Sequence, residues 1–419
     1  MTFDPYEIRS HFPALQSGAI FFDGPGGTQV PQEVIEACGD YLRTANANLG
    51  GTFETSRRTI EVMADARRAM ADFLNARSPE EIVFGPNMTT LTFNLSRAVG
   101  RTLHAGDEII VTALDHDANI APWVALEERG IVIQWVDINP EDCTLHMADM
   151  KRHLSMRTEI VAVAYASNAV GTINDLKRII DLAHERNALV FVDAVHYAPH
   201  GPIDVQELDC DFLTCSAYKF FGPHVGVLYG KYDLLEKLPA YKVRPARDRT
   251  PDKLETGTQN HEGIAGVVAA IDYLTSIGEK YGIDAVKQYQ SFTGRRFHLK
   301  TAMAAIQQYE SKLFTRLMEG LQGTRGIEIY GITNPKHFNQ RTPTVAFTME
   351  KLSPREISGQ LAQENIYVWD GNYYALEIME RLGLEKHGGA VRVGLCHYNT
   401  AEEVDRFLEV LGRIQSEES

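Results

Sequence analysis

Through the first two-thirds of the chain, short apolar runs alternate with stretches of helical period. Ile82-Val-Phe-Gly85, Glu108-Ile-Ile-Val-Thr112, Ile131-Val-Ile-Gln-Trp-Val136, Ile160-Val-Ala-Val-Ala-Tyr165, Leu189-Val-Phe-Val-Asp193 and Phe212-Leu-Thr-Cys215 read as strands. They are almost continuously apolar and rich in β-branched residues, the pattern of strands buried on both faces. Between them, segments such as Leu176–Arg186 carry apolar residues at 176, 179, 180 and 183, which is one face of a helix. This alternation predicts an α/β fold with a mainly parallel sheet. Val225-Gly-Val-Leu-Tyr229 adds an expected antiparallel strand at the sheet edge.

The character changes near residue 235. Lys237 to Glu255 is basic, contains proline and has no period, the mark of a long functional loop. Ile264–Ile277 and a stretch over about 284–322 read as helices. Strands follow at Thr344–Phe347, Ile366–Trp369 and Ala390–Gly394, then a helix at Ala401–Arg413. The expectation is a smaller α+β domain after the large one, and 419 residues are enough for two cores. There are no repeats, low-complexity tracts or flexible linkers.

Charge and cysteine usage narrow the function classes. A formal charge of −15 argues against a nucleic-acid or anionic-membrane surface, which would repel the chain. No apolar run reaches the roughly 18 residues that span a bilayer. The first residues carry acids and no apolar core, so a signal peptide is not expected. The five cysteines (38, 143, 210, 215 and 396) are scattered without a C-x-x-C, which fits reduced thiols in a cytoplasmic protein. The 14 histidines show no ligand spacing, and no metal is expected.

The chemistry gathers in two segments, Phe191-Val-Asp-Ala-Val-His196 and Cys215-Ser-Ala-Tyr-Lys219-Phe-Phe-Gly222-Pro223. Each puts a charged residue at the C-terminal end of an apolar run, where open α/β sheets present groups to ligands. Asp193 alone reads as a turn or capping residue, and Lys219 alone as a solvated loop lysine. On adjacent strands they become what pyridoxal 5′-phosphate (PLP) requires: a lysine for its aldehyde and a carboxylate for its pyridine nitrogen. Ser216 and Tyr218 beside the lysine add hydroxyls suited to phosphate, and Gly222-Pro223 closes the segment in a tight turn.

With these motifs in place, the chain resembles the class V aminotransferase group of fold-type I PLP enzymes, in the neighbourhood of cysteine desulfurases and selenocysteine lyases. The resemblance runs from Phe22-Asp-Gly-Pro-Gly-Gly27 to Tyr398-Asn-Thr-Ala-Glu-Glu-Val-Asp405. It implies a seven-stranded, mainly parallel sheet in a large domain, 19–262. Before it would come an N-terminal segment, 1–18, packed on the small domain, and after it connecting helices and the small domain, 263–419. It also implies roles. Asn87-Met-Thr-Thr90 leads into a helix whose start, with Thr89 and Thr90, would hold the phosphate. His116, in Asp115-His116-Asp-Ala-Asn119, would stack on the pyridine face and could shuttle protons. Asn168, in Ser167-Asn168-Ala-Val-Gly171, would donate to the 3′-oxygen. Asp193 would keep the ring nitrogen protonated.

His196 stands where desulfurases commonly carry glutamine beside that oxygen, and Tyr218 replaces a common histidine but can still donate to phosphate. Glu255-Thr-Gly-Thr-Gln259 matches a segment that crosses a dimer interface, so Thr258 would reach the partner subunit's phosphate in a homodimer with shared sites. Arg392 would grip the substrate α-carboxylate.

One element departs from the resemblance. Cysteine desulfurases carry a sulfur-accepting thiol on a loop of the C-terminal domain. The matching loop here is Val368-Trp-Asp-Gly-Asn-Tyr-Tyr374-Ala375, with Tyr374 at the thiol position and Trp369 in place of the arginine that usually opens it. Cys396 lies four residues from Arg392, roughly 13 Å along a strand. The expectation is therefore a PLP-dependent enzyme acting on a cysteine-type amino acid by β-elimination. The alternatives are an epimerase or racemase using His116 or Tyr374, a desulfurase with an unrecognised acceptor, or a non-catalytic PLP-binding protein.

Overall fold

A computed structural model describes residues 3–417. Seven strands form the large sheet: β1 (Ile82–Gly85), β2 (Glu108–Thr112), β3 (Val132–Val136), β4 (Thr158–Ala164), β5 (Leu189–Asp193), β6 (Phe212–Ser216) and β7 (Gly226–Gly230). Their order across the sheet is β1-β7-β6-β5-β4-β2-β3, and all neighbours are parallel except those of β7. The expected mainly parallel α/β sheet is thus present. β7 is antiparallel as expected, but it lies between β1 and β6 instead of at the edge. All five of its residues are buried, which suits an interior strand and would leave an edge unprotected.

Burial on both faces explains the continuous apolar runs. Along β5, Val190 and Val192 join one hydrophobic core while Phe191 joins the core on the opposite face, edge-on to Trp123 at 5.3 Å between ring centroids. The helix α1 (Met88–Gly100) follows β1 directly, with the Asn87 side chain accepting from the Thr90 N–H at 2.8 Å. α2 (Leu176–His184) connects β4 to β5, and Asp175 caps its start.

Further along, α3 (His261–Tyr281) packs on the large core, and α4 (Gly294–Gly323) runs from that core into a second one. α4 begins ten residues later than the sequence pattern suggests, because Thr293 is extended (φ −137°, ψ 161°) and the preceding residues form only short turns. The second core lies under an antiparallel sheet of β8 (Ile327–Tyr330), β9 (Thr344–Met349), β10 (Trp369–Gly371) and β11 (Ala390–Gly394), in the order β8-β9-β11-β10, with α5 (Ala401–Glu417) against it. The strand expected at Ile366–Trp369 is split. Ile366–Tyr367 pairs in parallel with Ile20–Phe21, and Trp369 starts β10.

Phe22, which the sequence assigns to the large domain, packs instead in this second core, edge-on to Phe407 at 5.7 Å. Ahead of it, Arg9 pairs with Glu403 at 2.7 Å and Phe12 is buried between Tyr273 and Tyr398. The C-terminal ends of β4, β5 and β6 face β10 and β11 across a cavity of about 1000 Å³. That is where an open α/β sheet receives ligands.

Candidate active site

Lys219 enters the cavity because β6 ends at Ser216 in extended conformation and a single turn, Ala217–Lys219, follows. The turn is held from behind. Phe221 takes a left-handed conformation (φ 70°), and its N–H donates to Thr28 Oγ1 at 2.9 Å. The Lys219 ammonium donates to the Pro25 carbonyl and lies 5.0 Å from the Tyr218 ring centroid. Burial chiefly, and then the positive charge of Arg392, pull the Lys219 amine down to about 7; Asp193 and Asp23 partly offset them.

This has a direct consequence for the cofactor-free protein. A lysine must be unprotonated to attack an aldehyde. The rate of PLP uptake should fall about tenfold per pH unit below about pH 7 and level off above it. Stopped-flow absorbance reads this; a rate flat from about pH 5.5 to 8 would contradict it.

Asp193 ends β5, next to β6 in the sheet, with Asp193 opposite Thr214. Its Oδ1 accepts from the Val195 N–H at 2.9 Å. Burial raises its carboxyl to about 6 despite that N–H and the charge of Lys219. His116 follows β2, and its Nδ1 accepts from the Ala118 N–H at 3.0 Å. The neutral ring therefore carries its proton on Nε2. Burial, with Lys219 and Arg392 nearby, lowers His116 to about 4, so it is uncharged at neutral pH. The Tyr374 ring stacks on it at 5.6 Å, and the Asp117 N–H ties that loop down by donating to the Tyr374 carbonyl at 2.7 Å.

Arg392, in β11, is buried, and its Nη1 donates to the Asn168 carbonyl at 2.8 Å. Its guanidinium lies 4.2 Å from the Tyr373 ring centroid, and its buried Nε has no protein partner among the described residues. Desolvation lowers its pKa to about 10, still fully charged at neutral pH. Asn168 Nδ2 donates to the Tyr373 carbonyl at 3.0 Å with one of its two hydrogens. His196 is buried, and its Nε2 is 3.1 Å from Thr342 Oγ1.

The cavity brings together Thr89, His116, Asn168, Asp193, His196, Ser216, Tyr218, Lys219 and Arg392, all singled out from the sequence. Thr90 is not among its walls. It sits one position further round α1, and its N–H is taken by Asn87. Thr258 is exposed on a loop outside this cavity. That loop is anchored by Glu255, which pairs with both terminal nitrogens of Arg67 at 2.8 Å.

The donors fit PLP at both ends. At one end lie the Thr89, Ser216 and Tyr218 hydroxyls and the start of α1, suited to a phosphate. Close approach there depends on Gly226, since a Cβ on it would sit 2.4 Å from the Asn87 carbonyl carbon. At the other end are the Asp193 carboxylate and the Lys219 amine.

Sequence reasoning missed the carbonyl of Pro25, the Phe93 wall and the Asn372–Glu385 pair at the mouth. Only Gly26 carried a signal for the first. A Cβ there would lie 2.1 Å from the Trp369 indole nitrogen, so the glycine marks a close approach. None of the five cysteines lines the cavity. Cys396 lies behind Gly24, where a Cβ would be 2.7 Å from its sulfur, and burial raises its thiol. Among the described residues, no group of His, Cys, Asp and Glu is placed to hold a metal ion, and no helix is long and apolar enough to cross a membrane.

Comparison with known proteins adds to this geometry. The sequence profile described as "Aminotransferase class-V" matches residues 20–293 and 296–407. The chain is 33% identical over 419 residues to the aminotransferase-like protein FGM3 of Gibberella zeae, covering 98% of each chain. It is 31% identical over 435 residues to a cysteine desulfurase of Pectobacterium atrosepticum, covering 99% of this chain and 98% of that one. Among solved structures it is similar to the apo cysteine desulfurase of Thermococcus onnurineus, with a TM-score of 0.86, 26% identity and full coverage of both chains. It is also similar to the cysteine desulfurase CsdA of Escherichia coli, with a TM-score of 0.83, 26% identity and 99% of each chain covered.

Proposed function

The chain belongs to the class-V aminotransferase family of PLP-dependent enzymes, and from that premise we propose that it is a carbon–sulfur lyase acting on a cysteine-type amino acid. The observation that carries this reading is the thiol-free cavity: the loop that faces His116 presents Tyr373 and Tyr374, and every cysteine lies elsewhere. A phenol cannot take sulfur as a persulfide. Elimination needs no acceptor, because sulfur leaves with its own substituent.

When bound, PLP supplies an aldehyde that condenses with an amine and a ring that withdraws electrons from the adjacent carbon. The protein's own groups do the rest. The Arg392 guanidinium, with its unpartnered Nε, binds the α-carboxylate and fixes the amino acid's orientation. Lys219 Nζ, held near neutrality, accepts the α-proton. His116 offers Nε2–H as a donor. Asp193 holds a negative charge where the ring nitrogen needs one. In the net reaction an S-substituted cysteine and water give pyruvate, ammonium and a thiol; the Cβ–S bond breaks, its electron pair leaves on sulfur, and no oxidant is consumed.

Racemisation fits less well. It requires a base on the second face, and the His116 lone pair on Nδ1 is occupied by the Ala118 N–H. The reading extends to a cytoplasmic homodimer in which the exposed Thr258 reaches the partner's phosphate.

The test is product analysis with the holoenzyme and L-cysteine or an S-substituted cysteine. Equal yields of pyruvate and ammonia are expected. Alanine with zero-valent sulfur, released as sulfide when a thiol reductant is added, would replace the reading by desulfuration, and deuterium exchange at Cα without either product would replace it by racemisation.

A further inference from the structure

The cavity has two chemically distinct ends. Its floor carries Lys219, Asp193 and Arg392, the groups that handle an amino acid's head. Its mouth is aromatic, with Phe93, Trp369 and Tyr374 among its lining. Trp369 is 50% exposed and Tyr374 74% exposed, so both keep ring surface free for contact with a ligand in the cavity they line.

The register shows how the two ends relate. Trp369 and Arg392 are direct cross-strand partners in the antiparallel β10/β11 pair. Directly opposed side chains leave the same face of a sheet with their Cβ atoms about 5 Å apart. An amino acid whose carboxylate sits on Arg392 therefore has the indole beside it. Gly26 permits this placement by leaving the space that the Trp369 nitrogen occupies. L-Cysteine, whose side chain ends in a small thiol, has nothing to lay against this wall. A cavity of about 1000 Å³ leaves room for more.

From this geometry we infer that the substrate is a cysteine carrying a bulky apolar or aromatic group on sulfur, which Trp369 receives as a specificity-determining residue. The inference rests on the lyase reading for the reaction, but it concerns binding and is separable from it. The Arg392 end anchors the head, and the indole face covers the S-substituent through area burial and ring stacking. Tyr374 stacks on His116 and bounds the same mouth.

The test uses holoenzyme and unreactive analogues of S-benzyl-L-cysteine and S-methyl-L-cysteine in which a methylene replaces sulfur, so that neither can eliminate. Dissociation constants are read from PLP absorbance and from tryptophan fluorescence, with Trp369→Phe identifying the Trp369 component. The benzyl analogue should bind at least about tenfold more tightly than the methyl analogue. Trp369→Ala should erase that preference, and Trp369→Phe should retain most of it. Equal binding of the two analogues, or a preference that survives Trp369→Ala, would overturn the inference. A separate assay with S-benzyl-L-cysteine itself keeps the two ideas apart. If it gives no pyruvate while the binding preference holds, the lyase reading fails and the specificity assignment stands.

Discussion

Lys219→Ala is expected to abolish the visible absorbance of the bound cofactor and to lower turnover by at least about 10³-fold, toward the upper range for loss of a positioned base. The size of the effect follows from the environment. The amine is held by the Pro25 carbonyl, brought to about 7 by burial and Arg392, and placed next to Asp193 by the β5/β6 pairing. No other lysine lines the cavity, so none can take over. Borohydride reduction followed by peptide mapping checks the assignment independently of activity. A mutant that still holds reducible, covalently attached PLP would refute it.

Asp193→Asn should leave Lys219 labelled but cut kcat by about 10²–10³-fold, the usual cost of one preorganised electrostatic partner. The amide keeps the shape and can still accept from the Val195 N–H, so the loss isolates the charge. Burial makes that charge costly to hold, and the carboxyl sits near 6. A bound cation at the ring nitrogen would offset the cost. Wild-type kcat in Asp193→Asn would mean that the ring nitrogen is supported elsewhere.

Much of this was legible in the chain because both the strands and the site use continuous apolar runs. β1, β2 and β5 fall on their expected residues, since strands buried on both faces admit no polar interruption. Asp193 and Lys219 stood out for the same reason, as charges that end such runs. What stayed illegible depends on spatial order and register. β7 reads as an edge strand until the fold inserts it between β1 and β6. The pairing of Trp369 with Arg392 joins two strands through a long loop and a short helix, which no local pattern encodes. The proton position on His116 follows from the N–H of Ala118, a backbone contact invisible in the composition. Thr89 lines the cavity and Thr90 does not, because adjacent helix residues look equivalent in sequence yet lie about 100° apart.

The central claim is that sulfur leaves in the departing thiol or sulfide and never passes to the protein. Intact-mass measurement of the holoenzyme after many turnovers with L-cysteine, without added reductant, tests it most directly. An unchanged chain mass with pyruvate accumulating in solution is the predicted result. A chain heavier by one sulfur atom, with alanine in place of pyruvate, would contradict it.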